Sequence, residues 1–238
     1  MCTSTDPRNH RNRLGLWLHD ANHSIAIDVS SEFRLGALRH GLKHLDAVLL
    51  THAHSDHVSG LDDLRIISQM SGKPVPLYGS SETLSDIRQR FAYAFAAPKG
   101  YGGGAPQYDL RVAVEPFDLL GWHITPLPIL HGPEKILGYR IGDFALITDV
   151  TEIPEATLDL LKGLKVLALD CLRERPHSTH LGFNQSVDYA RRIGAEQTYF
   201  IHMCHELEHV QTESRLPPEI RLAYDGLEVE LPISNSIS

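Results

Sequence analysis

The residues with the clearest capacity for chemistry lie together in the segment Thr51–His57, which reads Thr-His-Ala-His-Ser-Asp-His. Neutral imidazole and carboxylate are groups that a borderline-hard divalent cation takes as ligands. In an extended backbone the rings of His52 and His54 would point the same way, and Asp56 and His57 follow where the chain turns. The spacing therefore allows one short segment to serve two metal ions.

This segment is framed by a strand and a helix. Residues 47–50 are Ala-Val-Leu-Leu, a run typical of a buried strand in a layered α/β sheet. After the segment, apolar residues recur at helical spacing, at Leu61, Leu64, Ile67 and Met70. A histidine-rich surface loop is the alternative interpretation. The position directly after a buried strand favours a metal site.

The composition bounds the class of protein. The chain has 238 residues, 42% of them hydrophobic, and a formal net charge of −8, which predicts one domain spanning residues 1–238 and argues against nucleic acid as the main partner. Cys2, Cys171 and Cys204 are too few for a disulfide framework. No apolar run approaches the roughly 18 residues of a membrane span, and the N-terminus lacks signal-peptide character. We predict a cytoplasmic protein without a membrane partner.

Periodicity predicts strands alternating with helices along the chain. Strands are predicted at residues 14–19, 24–29, 46–50, 74–78, 111–114, 122–126, 137–141, 144–147, 165–170 and 198–201. Helices are predicted at about 30–42, 61–70, 80–91, 154–161, 184–193 and 206–211. The first of them would bury Phe33, Leu35, Leu38 and Leu42, and Asn184 would cap the fifth. A last hairpin, 222–224 with 227–230, would turn at Asp225–Gly226. The Gly-rich stretch 92–109 is either a lid or insertion near the active site or a surface loop.

Three further candidate ligands each follow an apolar strand: His131, Asp149 and His202. Any one of them alone would be an ordinary polar residue at a strand end. Their shared position matters because α/β folds gather functional groups at strand ends. A second stretch of interest is Arg173–Leu181, which combines two arginines with His177 and His180. This composition favours anion binding and proton donation over a solvated loop.

The HxHxDH motif resembles the signature of the metallo-β-lactamase superfamily, and the strand-end residues follow in the order of that pattern. The resemblance implies an α/β (α+β) fold, a four-layer αββα sandwich, with two divalent ions. It assigns His52, His54 and His131 to the first ion, Asp56, His57 and His202 to the second, and Asp149 as the bridge. Manganese or zinc is favoured, and iron also suits nitrogen and oxygen ligands.

The chemistry expected of such a site is hydrolysis. A hydroxide held between two cations is a nucleophile at neutral pH, because the cations lower the pKa of bound water. Asp56 would orient or deprotonate the water as well as bind metal. A leaving alkoxide then needs a proton, and His180 is the candidate general acid.

Three segments resemble the PhnP phosphodiesterase branch: Leu61–Arg65, Arg175–His180 and Ile201–His205. PhnP enzymes open a five-membered cyclic phosphate on ribose 5-phosphate, and the histidine matching His180 serves their active site. The resemblance implies a small phosphorylated substrate, with Arg175, His177 and His180 as candidate contacts.

The family's structural zinc site is incomplete in this sequence. Cys2 matches the last cysteine of the family's cluster and His205 its histidine ligand, while the earlier cysteines are absent. Two ligands do not make the closed tetrahedral site of structural zinc, so we predict none. We also predict that the family's N-terminal strand is missing, and the edge strand exposed by its loss would promote pairing into a homodimer.

We therefore predict a metal-dependent phosphodiesterase acting on a small cyclic phosphate or phosphodiester. A hydrolase of a carboxylic ester, lactone or thioester is the alternative, because both reactions place negative charge on an oxygen. A non-catalytic carrier on the same fold is a third hypothesis, and the complete ligand set argues against it.

Overall fold

The structure is a computed structural model that describes residues 3–96 and 104–231. Cys2 and the central part of the 92–109 stretch lie outside these ranges, so the predictions made for them stay predictions. Its internal contacts divide the chain into two compact units. The N-terminal unit is Arg13–Val114, and the C-terminal unit begins at Glu115 and also includes the residues up to Asn12.

The N-terminal unit is built on a five-stranded sheet with strands in sequence order. The strands are β1 (Leu16–His19), β2 (Ser24–Ile27), β3 (Ala47–Leu49), β4 (Val75–Gly79) and β5 (Tyr108–Val112). The helices are α1 (Phe33–His40), α2 (Ser55–Val58), α3 (Leu64–Ser71), α4 (Ser81–Arg90) and α5 (Ala92–Ala96), with a 3-10 turn at Leu61–Asp63. β1 and β2 form an antiparallel hairpin, and β2 to β5 are parallel.

The helices α1, α3 and α4 cover one face of this sheet. Successive parallel strands joined by right-handed crossovers place their helices on the same side. The core agrees, because one cluster of apolar residues joins Val48 and Leu77 of the sheet to Leu64 of α3 and Leu84 of α4, with Phe33 of α1 packed against it. Ser80 begins α4 by accepting a hydrogen bond from the backbone N–H of Thr83, an ordinary N-cap.

The C-terminal unit contains a seven-stranded sheet in the order β12-β11-β10-β9-β8-β7-β6. Its strands are β6 (Phe117–Leu119), β7 (Trp122–His131), β8 (Glu134–Ile141), β9 (Phe144–Ile147), β10 (Val166–Asp170), β11 (Gln197–Ile201) and β12 (Ile220–Leu222). Its helices are α6 (Glu155–Leu160), α7 (Phe183–Ile193) and α8 (His209–Glu213), with a 3-10 turn at Pro7–Asn9. β9 to β12 are parallel, and β8 is antiparallel to both β7 and β9. The strands β7, β9, β10 and β11 therefore all end at the same edge.

The first residues of the chain belong to the C-terminal unit because Asn9 holds them there. The buried Asn9 side chain donates to Glu208 at 2.7 Å and accepts from the backbone N–H of His209 at 2.9 Å. Both partners lie at the start of α8. A buried amide whose donor and acceptor are both used fixes the position of this segment.

The predicted mixed α/β class with two sheets is confirmed. The structure corrects several local predictions. Asp225–Gly226 forms a turn, but β12 pairs in parallel with β11, and residues 227–231 of the described range form no strand. Gly182, not Asn184, is the N-cap of α7, and its N–H donates to the side-chain oxygen of Gln185 at 3.0 Å.

The predicted apolar faces of two helices are also partly wrong. Leu35 and Leu38 of α1 are 56% and 69% exposed, and Met70 of α3 is 71% exposed. Phe33 and Leu42 do pack against the core, as predicted. Of the helices in the described ranges, none combines the length and apolar character that a bilayer crossing requires.

Candidate metal centre

The HxHxDH segment lies between the end of β3 and the start of α2. His52 and His54 are in the extended link, and Asp56 and His57 are on α2. The ring of His52 has its centroid 4.6 Å from that of His54 and 4.3 Å from that of His57. His57 Nε2 lies 3.6 Å from Asp56 Oδ2. The N-terminal unit thus brings its four predicted ligands together.

A buried aspartate that sequence reasoning missed organises this cluster. Asp28 follows β2 directly and has no exposed surface. One of its oxygens accepts the backbone N–H of Thr51 at 2.9 Å. The other accepts the Thr51 hydroxyl at 2.8 Å and His57 Nδ1 at 2.7 Å. Asp28 therefore fixes both ends of the metal segment from the neighbouring strand.

These hydrogen bonds decide the tautomers of two imidazoles. A carboxylate only accepts, so His57 donates from Nδ1 to Asp28 and presents Nε2 as its lone-pair nitrogen. The Thr51 hydroxyl donates its hydrogen bond to Asp28. The hydroxyl oxygen therefore accepts a hydrogen bond from His52 Nδ1, 3.0 Å away. Metal-binding histidines characteristically use their second nitrogen in this way. The Nε2 atoms of His52 and His57 are thus suited to bind a cation.

The C-terminal unit gathers its candidates at the shared edge of its sheet. His131 ends β7, Asp149 follows β9 and His202 follows β11. His131 donates from Nδ1 to the carbonyl of Thr179 at 2.7 Å, which again presents Nε2. His202 Nε2 lies 3.3 Å from Asp149 Oδ1. This unit therefore brings together the three predicted strand-end ligands.

Backbone strain marks the same residues. Among the described non-glycine residues, φ is positive at Asp28, Leu120, Asp149 and His202. L-amino acids rarely adopt this region, and such residues concentrate at functional sites. Asp28 belongs to the cluster of the N-terminal unit, and Asp149 and His202 belong to the cluster of the C-terminal unit. At Asp28, Asp149 and His202 the positive φ changes the direction of the backbone just after a strand ends, and this sets the direction of each side chain.

His180 lies beside Asp149 and His202 in the C-terminal unit, in contact with a further aspartate. These residues together are called the second cluster. His180 Nε2 is 3.8 Å from Asp149 Oδ2, and its Nδ1 is 3.5 Å from Oδ1 of Asp170, which is fully buried at the end of β10. The ring stacks on that of His202 at 5.0 Å. Asp170 also lies 3.7 Å from His202 Nδ1, and its Oδ2 accepts the N–H of Leu181. Asp170 was not predicted as a site residue.

This second cluster has the donor set of a cation site. Ligand atoms of Asp149, Asp170, His180 and His202 all lie within 4.8 Å of one another. Within the described residues, no hydrogen bond reaches Asp170 Oδ1 or His180 Nδ1, although both atoms are buried. These two atoms lie 3.5 Å apart, and imidazole nitrogens and carboxylate oxygens are the donors that a borderline-hard divalent cation binds. The residues present therefore fit a divalent metal.

The remaining predicted residues are distributed around His180. The ring of His177 lies 5.1 Å from that of His180, and burial, aided by His180, lowers the pKa of His177. Arg175 forms an exposed ion pair with Glu206 at 2.7 Å. Its role as a phosphate contact stays a prediction.

The predicted remnant of a structural zinc site is represented only by His205, which is exposed, because Cys2 lies outside the described ranges. Neither of the two described cysteines is in a disulfide. Cys171 is fully buried, and this burial raises the pKa of its thiol to about 12. A thiol with so high a pKa does not supply a thiolate nucleophile near neutral pH.

Comparison with known proteins agrees with this geometry. A family described as the beta-lactamase superfamily domain matches residues 19–203. A crystal structure of a new diphosphatase from the PhnP family is 37% identical, covers 97% of this chain and 89% of its own, and has a TM-score of 0.90. Zinc-bound PqqB from Methylobacterium extorquens shares the fold, at 18% identity over 93% of this chain and 88% of its own, with a TM-score of 0.74.

A curated relative of different name also matches. The chain is 39% identical over 233 residues to a protein named octanoyltransferase from Porphyromonas gingivalis. The match covers 96% of this chain but 46% of the relative, so the chain spans about half the length of that protein. The two histidine- and aspartate-containing clusters and these matches lead to one conclusion: the chain belongs to the metallo-β-lactamase superfamily of metal-dependent hydrolases, in its PhnP branch.

Proposed function

We propose that the protein is a dinuclear-metal hydrolase that cleaves a phosphoric ester or anhydride bond in a small molecule. The observation that carries the proposal is the pair of clusters in which imidazoles and carboxylates converge, with His52, His57 and His131 each held by a hydrogen bond at Nδ1. The diphosphatase relative supports phosphorus as the reacting centre, since it is 37% identical over nearly the whole chain.

In this proposal the metal ligands are those of the family pattern: His52, His54, Asp56, His57, His131, Asp149 and His202. Bound divalent ions would supply an activated water and neutralise charge on the phosphoryl oxygens. The nitrogen and oxygen donors suit zinc, manganese or iron. Asp28 and Asp170 would hold the imidazoles in orientation, which is the usual role of such outer carboxylates.

His180 would act on the leaving group. An alkoxide or phosphate that departs needs a proton or a positive charge, and a histidine supplies either near neutral pH. His180 is 11% exposed at its side chain and has a carboxylate oxygen beyond each ring nitrogen.

Two substrate classes are compatible with this chemistry. A cyclic phosphodiester and a diphosphate both present a charged phosphoryl group and a leaving oxygen. The PhnP resemblance favours the cyclic ester, and the diphosphatase relative favours the anhydride. Arg175 and His177 are the candidate residues for recognising the second phosphate or the sugar. Cytoplasmic location and homodimer formation stay predictions.

Thioester hydrolysis is the second candidate because of the relative named octanoyltransferase. A hydrolase joined to an acyl-transferring region would act close to any thioester bound there. Within the described residues, Cys171 is too buried and too weakly acidic to form an acyl-enzyme. In this candidate function, bound metals would activate the water that cleaves the thioester.

The test is a hydrolysis panel on protein whose metal content has been quantified. It compares a ribose cyclic phosphate and a dinucleoside diphosphate with an octanoyl thioester and a lactone, each with added manganese or zinc. Cleavage of a phosphate substrate without the acyl substrates supports the proposal. Cleavage of the thioester alone would replace it with the second candidate. No cleavage by protein carrying two metals would favour a carrier.

A further inference from the structure

The outer surface of the N-terminal unit exposes apolar side chains on two neighbouring helices. Leu35 and Leu38 of α1 are 56% and 69% exposed, and Ile66 and Met70 of α3 are 55% and 71% exposed. Each pair lies at helical spacing, so each forms a strip along its helix. α1 and α3 cover adjacent crossovers of the same sheet face. Grouped exposed apolar residues of this kind mark interaction surfaces.

A rim of cations borders the α1 strip. Arg34 and Arg39 share the exposed face of α1 with the two leucines, and Lys43 follows the helix. Within residues 3–96 and 104–231, no carboxylate pairs with any of these three cations. Six arginines elsewhere do have acidic partners, for example Arg13 with Glu32 and Arg215 with Glu174. The rim is an unpaired positive surface on a chain of net charge −8.

The helix α1 contributes little to its own core. Its eight residues include none that is fully buried. Glycine at Gly36 also disfavours the helix by about 1 kcal/mol relative to alanine. The stability of the N-terminal unit alone does not explain why α1 exposes two leucines and two arginines to solvent.

We propose that this surface, Leu35, Leu38, Ile66 and Met70 with the rim Arg34, Arg39 and Lys43, docks another protein through an acidic, leucine-bearing helix. Apolar anchors would pack between the strips, and carboxylates would meet the rim. A symmetric contact between two copies is disfavoured, because it would place the two rims against each other. The proposal is independent of the hydrolase activity.

A lipid or nucleic acid partner fits less well. Helices that lie in a bilayer interface combine a large apolar face with a strongly charged one, whereas α1 exposes two leucines in eight residues. Three cations neutralise few phosphates, and the net charge of the chain opposes approach to either polyanion. The relative named octanoyltransferase is about twice as long as this chain, which shows that a domain of this family can be joined to a further protein region.

The test uses the full chain and a labelled synthetic helix of about 15 residues, with leucine at helical spacing and glutamate elsewhere. We expect fluorescence anisotropy to give a dissociation constant between about 1 μM and 1 mM, as for small interfaces. Arg34→Glu with Arg39→Glu should weaken binding at least about tenfold, and so should Leu35→Ser with Leu38→Ser. Arg191→Glu with Arg221→Glu, at two exposed arginines of the C-terminal unit, is the charge-matched control and should change nothing.

The contrary outcomes are distinct. Absence of peptide binding, or equal binding by the wild type and both double variants, would overturn the proposal. So would binding of phosphatidylglycerol vesicles or duplex RNA in place of the peptide, lost in the same variants. A wild-type dimer in light scattering that the variants abolish would assign the surface to a second copy. Thermal unfolding of each variant checks that the fold is intact, as expected for exposed residues.

Discussion

Asp28 and His57 form a fully buried hydrogen bond, with Asp28 Oδ2 2.7 Å from His57 Nδ1 and no exposed surface on either side chain. Asp28 follows β2, while His57 is on α2, so the bond joins two neighbouring crossovers of one sheet. Because Asp28 also receives both the N–H and the hydroxyl of Thr51, one carboxylate sets the position of the whole metal segment.

Replacing Asp28 by asparagine should lower metal affinity without removing a ligand. The amide is neutral and no longer raises the basicity of His57, so we expect about 10- to 100-fold weaker binding. Competition with a chromophoric chelator measures this. The matched control is Asp20→Asn, because Asp20 pairs with His23 on the surface at 3.2 Å. Equal metal affinity in Asp28→Asn and the control variant would show that Asp28 does not contribute to metal binding.

Sequence reasoning identified candidate residues where the signal was local and missed Asp28 and Asp170, where the signal was distant. HxHxDH and the strand-end residues Asp149 and His202 stand out along the chain. Asp28 follows the apolar run Ile25-Ala26-Ile27 in the same way, yet its role depends on parallel pairing of β2 with β3, which no short window contains. Asp170 was missed for the same reason.

The incorrect local predictions have a similar cause. Asp225–Gly226 is a good hairpin turn by composition, but β12 pairs with β11 instead, across the intervening α8. In α1 the leucines satisfied a helical period without facing the core. Periodicity reports that one face of a helix differs from the other, but the sheet decides which face is buried.

His180→Ala should separate metal binding from proton donation. If His180 donates to the leaving group, we expect turnover to fall by about two to four orders of magnitude while metal content is kept. Asp149→Ala should lower metal content instead. His123→Ala, which removes an exposed histidine paired with Asp118, is the control.

The leaving group makes this test sharper. p-Nitrophenolate departs readily without a proton, whereas an alkoxide does not. The loss in His180→Ala should therefore be large for an alkyl phosphodiester and small for bis-p-nitrophenyl phosphate. Equal losses on both substrates would indicate that His180 binds or positions the substrate instead of donating a proton.

Gly60→Ala should destabilise the metal segment. A Cβ at Gly60 would lie 2.0 Å from the backbone oxygen of Ser30, which cannot move aside as a side chain would. Gly60 N–H also donates to Val29 at 2.9 Å, so the clash would push α2 from β2. We expect a loss of at least about 1 to 3 kcal/mol in the free energy of unfolding, with weaker metal binding.

Gly36→Ala is the natural comparison for that variant. A Cβ at Gly36 would meet nothing within 4 Å, and the residue lies inside α1. Alanine favours a helix, so we expect a gain of about 0.5 to 1 kcal/mol. Urea unfolding of metal-free protein measures both. A Gly60→Ala protein as stable as Gly36→Ala would mean that the Ser30 backbone yields to the added methyl group.

His209 should make the protein less stable as the pH falls through the range of ordinary histidine titration. Burial, followed by the charge of Arg8, lowers the pKa of His209 from its ordinary value of 6.5, and Glu213 opposes this only in part. As the pH falls through about 6.5, the unfolded chain therefore binds a proton at His209 while the folded chain does not. The free energy of unfolding is therefore highest above this pH and decreases below it.

The measurement is the free energy of unfolding in urea between about pH 5 and 7.5, on metal-free wild type and His209→Gln. Glutamine stays neutral, so the variant should lose less stability between pH 7.5 and 5 than the wild type. His123→Gln, at an exposed histidine, is the control for replacing a histidine by glutamine. Identical slopes in all three proteins would show that His209 accepts its proton as easily in the folded chain as in the unfolded one.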